Sequence, residues 1–348
     1  MESQFAAQFG HAPTVQTTVP GRVNLLGEWT DFSGGLVLPM AVPLHVRLAL
    51  APNGRDHDRV ASAQFDGVVT RPVGKAASGH WSDYVAGALA HARAQGWADP
   101  QGYDVALDST VPHGSGLSSS AAVIVGMLRM LAPEGTPAPD TAVAARAVEN
   151  EYIGVPCGIM DQMAVAIAAP GDVLALDTGT LAFEAVPLPP AWRVSIVHSG
   201  VSRKLADGRY KERRDEILAA AEQLGVADLC RADLAAVETL PAPLRARARH
   251  VVSEDIRTRA ALAHLKTGDI AAFGAAMRDG QRSISTDFAI TTPEVDAQVA
   301  LIERHGALAA RQTGGGFGGC IVVLDHAGDE PGWWEPLHSA FPAARRIV

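Results

Sequence analysis

Between Tyr103 and Leu131 the hydrophobic period of the chain changes abruptly, and no other stretch constrains the fold as much. Tyr103-Asp-Val-Ala-Leu-Asp108 alternates with period two and predicts a strand. Ser119 to Leu131 is an apolar run long enough for a helix. Between them lies Pro112-His-Gly-Ser-Gly-Leu-Ser-Ser-Ser-Ala-Ala122, a loop by its glycines and serines. A strand feeding a helix through a glycine loop places sheet and helix in one core.

The flanking sequence extends this pattern. Val15 to Val19 and Leu36 to Leu50 read as extended, and Asp172 to Asp177, Trp192 to His198 and Cys320 to Leu324 as strands. Trp81, Tyr84, Val85, Ala88, Leu89 and Ala92 recur at helical spacing, which predicts a helix from Ser82 to Gln95. Thr141 to Tyr152 reads as helix, Ala132 to Pro139 as loop, and the stretch from Trp192's strand to His305 as mainly helical. The prolines of Val186-Pro-Leu-Pro-Pro190 suit a linker. The expectation is an α+β chain of two domains, 1–188 and 189–348, strand-rich first and helix-rich second.

The bulk properties exclude several classes. At 348 residues the chain is long for one core, and 47% hydrophobic with 19% charged is a globular composition. The net charge of −9 argues against nucleic acid as a partner. The most basic run, Leu244-Arg-Ala-Arg-Ala-Arg-His250, reads as a solvated helix face. Cys157, Cys230 and Cys320 are too few and too scattered for a disulfide framework. No stretch approaches the ~20 apolar residues of a membrane span. The expected setting is cytoplasmic, without membrane, as a monomer or weak oligomer.

Four segments carry chemistry. In the first, Gly114 and Gly116 let the backbone turn tightly, and the helix start that follows offers N–H groups and a favourable dipole to phosphate oxygens. Ser118, Ser119 and Ser120 add hydroxyls, one of which can reach a Mg2+ shared with those phosphates. The run lacks the G-K-[ST] of the common P-loop, and an ordinary serine-capped helix would leave a similar string. The second segment, Pro20 to Gly35, sets Arg22, Glu28 and Asp31 among glycines. Carboxylates accept from sugar hydroxyls, and an Arg stabilises a transferring phosphoryl group. A charged hairpin would look alike. The third, Glu149 to Gln162, holds Asp161 between Met160 and Gln162, as a candidate base or a helix cap. The fourth, Gln312-Thr-Gly-Gly-Gly-Phe-Gly-Gly319, suggests close backbone approach to a ligand or to another segment.

In this order the four segments resemble the GHMP kinases, and among them the galactokinase family. The family signature G-R-V-N-L-I-G-E-H-T-D-Y-N-G-G reads here Gly21-Arg-Val-Asn-Leu-Leu-Gly-Glu-Trp-Thr-Asp-Phe-Ser-Gly-Gly35. Gly116 to Ala121, Cys157 to Gln162 and Thr313 to Cys320 match in place, so the resemblance spans about residues 15 to 325. It implies a ribosomal S5-like N-terminal domain, a ferredoxin-like C-terminal domain and a site between them. It implies an ATP-dependent sugar 1-kinase that makes galactose 1-phosphate. Gly114, Ser115, Gly116, Leu117, Ser118, Ser119 and Ser120 would cradle ATP, with Ser120 and Glu149 on Mg2+. Asp161 would be the base and Arg22 the stabiliser of the transition state. Glu28, Trp29, Asp31 and Tyr210 would line the sugar, Tyr210 lying in Ser202 to Arg214, a segment resembling the family's Y-x-x-R-R.

Trp29 departs from the pattern, standing where the family has His, and Phe32 and Ser33 replace Tyr and Asn. The indole only donates, whereas His donates or accepts. Either Trp29 packs aside and the sugar is galactose, or it fills the space of the C6 hydroxyl and selects an altered sugar such as L-arabinose. Some galactokinase-like proteins are non-catalytic sugar sensors with a deletion beside the serine run; here Ser118 to Ala122 is intact.

Overall fold

The computed structural model describes residues 1–112, 114–201, 207–328 and 330–348. His113 of the glycine–serine loop and residues 202–206 of the tyrosine segment lie outside them. The chain forms two compact units. One comprises Met1–Arg22, Ala41–His113 and Ser118–Ala168; the other comprises Val23–Met40, Gly114–Leu117 and Ala169–Val348. Val186 to Pro190 closes a strand and turns within the second unit.

In the first unit, β3 (Pro39–Pro52) pairs antiparallel with β6 (Tyr103–Ser109), from Val46 opposite Ser109 to Pro52 opposite Tyr103. β4 (His57–Ser62) joins β6 in parallel and β5 (Phe65–Pro72) in antiparallel register. The parallel pair requires a crossover, and α2 (Asp83–Ala94) lies on it. β1 (Val15–Asn24) also pairs with β3. An N-terminal helix, α1 (Glu2–Phe9), was not evident from the sequence; it buries Phe5 and Phe9 against Ala49, Ala51, Ala61 and Ala106.

The glycine–serine loop leads into α3 (Ser119–Leu131), whose bounds are those the sequence predicts. Gly126 of α3 sits where a Cβ would lie 2.3 Å from Leu48 Cδ1 and 2.8 Å from Val19 Cγ2. This close approach seats α3 on the sheet. Gly126→Ala gains about 1 kcal/mol of helix propensity but overpacks the contact at a cost of about 1–3 kcal/mol. A net loss of about 1 kcal/mol in urea unfolding is the expected result; a stabilised variant would contradict the tight seating.

α4 (Ala138–Ala147) begins earlier than predicted, because Pro139 is tolerated in a first turn. Its continuation Val148–Ile153 widens into a π-helical turn instead of running on as α-helix to Tyr152. α5 (Met160–Ile167) follows.

In the second unit, β2 (Leu36–Val37), β7 (Asp172–Asp177) and β8 (Phe183–Pro187) pair antiparallel. A separate antiparallel sheet has the order β10 (Ala309–Gln312), β11 (Cys320–His326), β9 (Trp192–His198), β12 (Arg345–Arg346). Helices α6 (Asp207–Leu224), α7 (Leu234–Val237), α8 (Leu244–Thr267), α9 (Ile270–Thr286) and α10 (Pro293–Arg304) intervene, and α11 (Trp334–Ala340) precedes β12. One core gathers Trp29, Ile217, Leu229, Val251, Ile284, Phe288, Ile290 and Phe317. No described helix is long and apolar enough to cross a membrane.

Candidate active site

Asp161 lies in the first turn of α5 and Arg22 near the end of β1. Arg22 Nε donates to Asp161 Oδ1 at 2.8 Å, and Nη2 approaches the same oxygen at 2.6 Å. Ser118 Oγ donates to Oδ2 at 2.7 Å. Both carboxylate oxygens are thus engaged, and the Asp161 side chain is still one-third exposed while that of Arg22 is buried. A charge-assisted donor on one oxygen and a hydroxyl on the other fix the rotamer.

Ser118 itself has φ of 62°, a left-handed conformation uncommon for a residue with a Cβ. It is the N-cap of α3, but its side chain makes no capping bond. The hydroxyl serves Asp161, a role the sequence reading, which placed Ser118 among the phosphate-cradling residues, did not identify. Gly114 and Gly116 also have positive φ, 72° and 77°, which glycine adopts freely. A helix start without a side-chain cap, preceded by such turns, is a ready anion site. Ser115 is buried, and its hydroxyl has no hydrogen-bond partner among the described residues.

Glu149 sits on the π-helical turn and is almost fully buried. Burial, then the negative charge of Asp161, push its carboxyl above the usual range; hydrogen bonds from Ser120, Cys157 and Gln162 partly offset this. Cys157 Sγ is 3.4 Å from Glu149 Oε2, and Gln162 Nε2 donates to the same oxygen. Arg22 offsets only one of the two neighbouring carboxylates, Asp161 and Glu149, and with the Ser120 hydroxyl they form an oxygen set of net negative charge. That fits Mg2+, which binds through few protein oxygens plus substrate phosphates. An open pocket of the same unit is lined by Val69, Thr70, Arg71, Pro72, Lys75, Ser78 and His80.

In the second unit Glu28, Trp29 and Tyr210 form a neighbourhood, and Asp31 follows on the same turn, half-buried. Trp29 has φ of 66° and its ring centroid lies 4.5 Å from that of Tyr210, 5.0 Å from Phe288 and 5.8 Å from Phe32. Its indole Nε1 is buried with no acceptor among the described residues. Glu28 is buried and its Oε2 lies 2.6 Å from Arg311 Nη2. Burial, opposed by Arg311 and reinforced by the charge of Glu254, pushes Glu28 up to about 7.

The residues behind this loop escaped the sequence reading. His250 is fully buried, which corrects the solvated face expected for Leu244 to His250: Arg247 and Arg249 find Glu216 and Glu238, while His250 Nε2 meets the Glu28 carbonyl at 3.1 Å. Glu254 Oε1 accepts from Gly27 N–H at 3.0 Å and lies 3.0 Å from Arg311 Nη2. Burial would raise Glu254, but Arg311, Arg257 and His250 outweigh it and hold the carboxyl at about 2. Spacing on α8 was the available signal: His250, Glu254 and Arg257 recur at helical intervals among Val251 and Val252.

Three consecutive residues at the end of β10 each hold a different segment. Arg311 pairs with Glu28, Gln312 Nε2 donates to Gly318 O at 3.0 Å, and Thr313 Oγ1 donates to Asn24 O at 2.9 Å. The glycine-rich run is explained by protein contacts. A Cβ on Gly316 would lie 2.6 Å from Ile290 Cβ, and one on Gly318 would lie 2.7 Å from Val201 O.

Residues 83–168 match the family model described as GHMP kinases N terminal domain, and 259–332 the GHMP kinases C terminal. Fold and sequence thus define a GHMP kinase, a phosphotransferase acting with ATP as substrate. Residues 3–52 match the galactokinase galactose-binding signature. The galactokinase of Roseiflexus sp. (strain RS-1) is 35% identical over 93% of this chain and 86% of its own length. That of Bos taurus is 37% identical over 94% and 88%. The crystal structure of Lactococcus lactis galactokinase complexed with galactose superposes with a TM-score of 0.92 at 27% identity, covering 99% of this chain and 95% of that one. Methanococcus jannaschii mevalonate kinase, at 18% identity and a TM-score of 0.71 over 95% and 96%, shares the fold. The chain belongs to the galactokinase family.

Proposed function

We propose that this chain transfers the γ-phosphoryl group of ATP to the anomeric hydroxyl of D-galactose, giving galactose 1-phosphate and ADP. The observation that carries the reading is Asp161 held by Arg22 on one oxygen and Ser118 on the other, beside buried Glu149. In the in-line step the sugar oxygen bonds to the γ-phosphorus as the bond to the bridging oxygen of ADP breaks. The sugar proton passes to Asp161, late, as charge leaves that oxygen. Arg22 orients Asp161 and faces the charge of the transferring group.

The 114–120 loop and the start of α3 suit the phosphates. Ser120 and Glu149 would hold Mg2+, which when bound neutralises phosphate charge. Glu28, Asp31 and Tyr210 suit the sugar hydroxyls, and the buried, unsatisfied Trp29 N–H is a donor that a sugar hydroxyl would satisfy. Packing of the Trp29 ring among Tyr210, Phe288 and Phe32 favours galactose over a sugar altered at C6. Three free thiols fit a cytoplasmic setting.

ADP release measured with galactose, 2-deoxygalactose, fucose, L-arabinose and glucose tests this. Galactose is expected to give the highest kcat/KM, with L-arabinose lower by about tenfold or more, as for loss of one hydrogen-bonded group. A preference for L-arabinose would overturn the substrate, and no release with any sugar would point to a sensor.

A further inference from the structure

We infer that Arg311 is a positioning residue for sugar recognition: its guanidinium, shared between Glu28 and Glu254, fixes the backbone of residues 27–29 and the Glu28 carboxylate in one geometry. The inference rests on the reading that this turn holds the sugar. Arg311 is fully buried on β10, with Nη2 2.6 Å from Glu28 Oε2 and 3.0 Å from Glu254 Oε1. Glu254 also takes the Gly27 N–H, and Arg257 closes on its other oxygen. His250, oriented by Ser283 Oγ at 2.9 Å, meets the Glu28 carbonyl. Next along α8, Asp255 Oδ1 accepts from Leu36 N–H at 2.7 Å. Both ends of the turn, Gly27 and Leu36, are thus tied to one helix, and the Glu28 carboxylate is tied to a strand.

The surroundings are shaped to admit this guanidinium. A Cβ on Gly280 of α9 would lie 2.6 Å from Arg311 Nη1 and 3.2 Å from Glu254 Oε2, so glycine leaves the space it occupies. Stability alone does not call for such a group. Desolvating buried charges is costly, and apolar residues of equal volume often serve as well or better. What apolar packing cannot supply is a fixed direction for the Glu28 carboxylate and the Gly27 N–H. Trp29, one residue further, has a left-handed backbone.

The test is steady-state kinetics on purified Arg311→Met, Arg311→Lys and Gly280→Ala, with galactose and ATP varied separately. KM does not depend on the fraction of enzyme that is folded, so it separates positioning from mere structural support. Arg311→Met is expected to raise the galactose KM about tenfold or more, the equivalent of one charged hydrogen bond, with the ATP KM within about twofold. Lys should recover part of the loss, since it keeps the charge but not the shape and reach of the guanidinium. If Arg311→Met does not fold, Gly280→Ala decides, because it displaces the guanidinium without removing it. Folded variants with an unchanged galactose KM would overturn the inference. Absence of galactose turnover in the unmodified protein would instead overturn the functional reading.

Discussion

Asp161→Asn is expected to lower kcat by about a thousandfold, within the range for loss of a positioned general base, while leaving ATP affinity within a few-fold. The substitution is nearly isosteric. The Asn carbonyl oxygen can still accept from Arg22, and the amide can donate to Ser118 Oγ, so the contacts at 2.8 Å and 2.7 Å need little rearrangement. On the proposed mechanism, what is lost is the capacity to take the sugar proton as the phosphorus–oxygen bond forms. The change also removes one negative charge from beside Glu149, whose carboxyl is raised by burial and by Asp161, so Glu149 should ionise more readily in the variant. Turnover is read by ADP release and nucleotide affinity by a fluorescent ATP analogue. Retention of a tenth or more of the turnover would remove Asp161 from the role of base.

Arg22→Met should cost about 10²–10³ in kcat, the scale for losing a preorganised donor to developing charge. The sugar KM should rise only a few-fold, because Arg22 contacts Asp161 and, in the proposed mechanism, faces the transferring group rather than the sugar. Arg22 is buried while Asp161 is partly exposed, so the variant leaves the carboxylate with water in place of its strongest partner. Its rotamer is then held by Ser118 alone. Arg22→Lys should recover little, since a lysine delivers one point charge in place of the Nε and Nη2 that converge on Oδ1. If kcat stayed within threefold of the parent and the sugar KM rose a hundredfold, Arg22 would be a sugar ligand.

Much of this was legible in the sequence for physical reasons. Period and punctuation gave α2, α3, β6, β7 and β9 nearly to the residue, because each is bounded by prolines, glycines or caps and has a clean apolar pattern. α1, β4 and β5 were not legible. β5 is largely solvent-facing and carries Gly67, and α1 is a short helix stabilised by Phe5 and Phe9 on a sheet formed much later in the chain. The π-helical turn was hidden for another reason: widening a helix by one residue leaves the composition of Val148 to Ile153 unremarkable. In the site, Arg22, Asp161 and Glu149 stood out as charges in apolar or glycine-rich surroundings. The roles of Ser118, His250, Glu254 and Arg311 did not. Each is fixed by a partner distant in sequence, and a buried arginine on a strand looks like any exposed one until the fold is closed.

The end of β10 has a consequence for how the protein reaches its working state. Side chains of a strand alternate between faces, so a slip of one residue would hand Arg311's place to Gln312 or Ala310 and exchange every partner at once. Glu28 would then be a buried carboxyl without its cation, and both Gly318 O and Asn24 O would lose their donors. Such a misaligned sheet carries a penalty at three separate segments, so it competes poorly with the native pairing. Proofreading of this strand's alignment is therefore built into the same residues that shape the turn around Glu28.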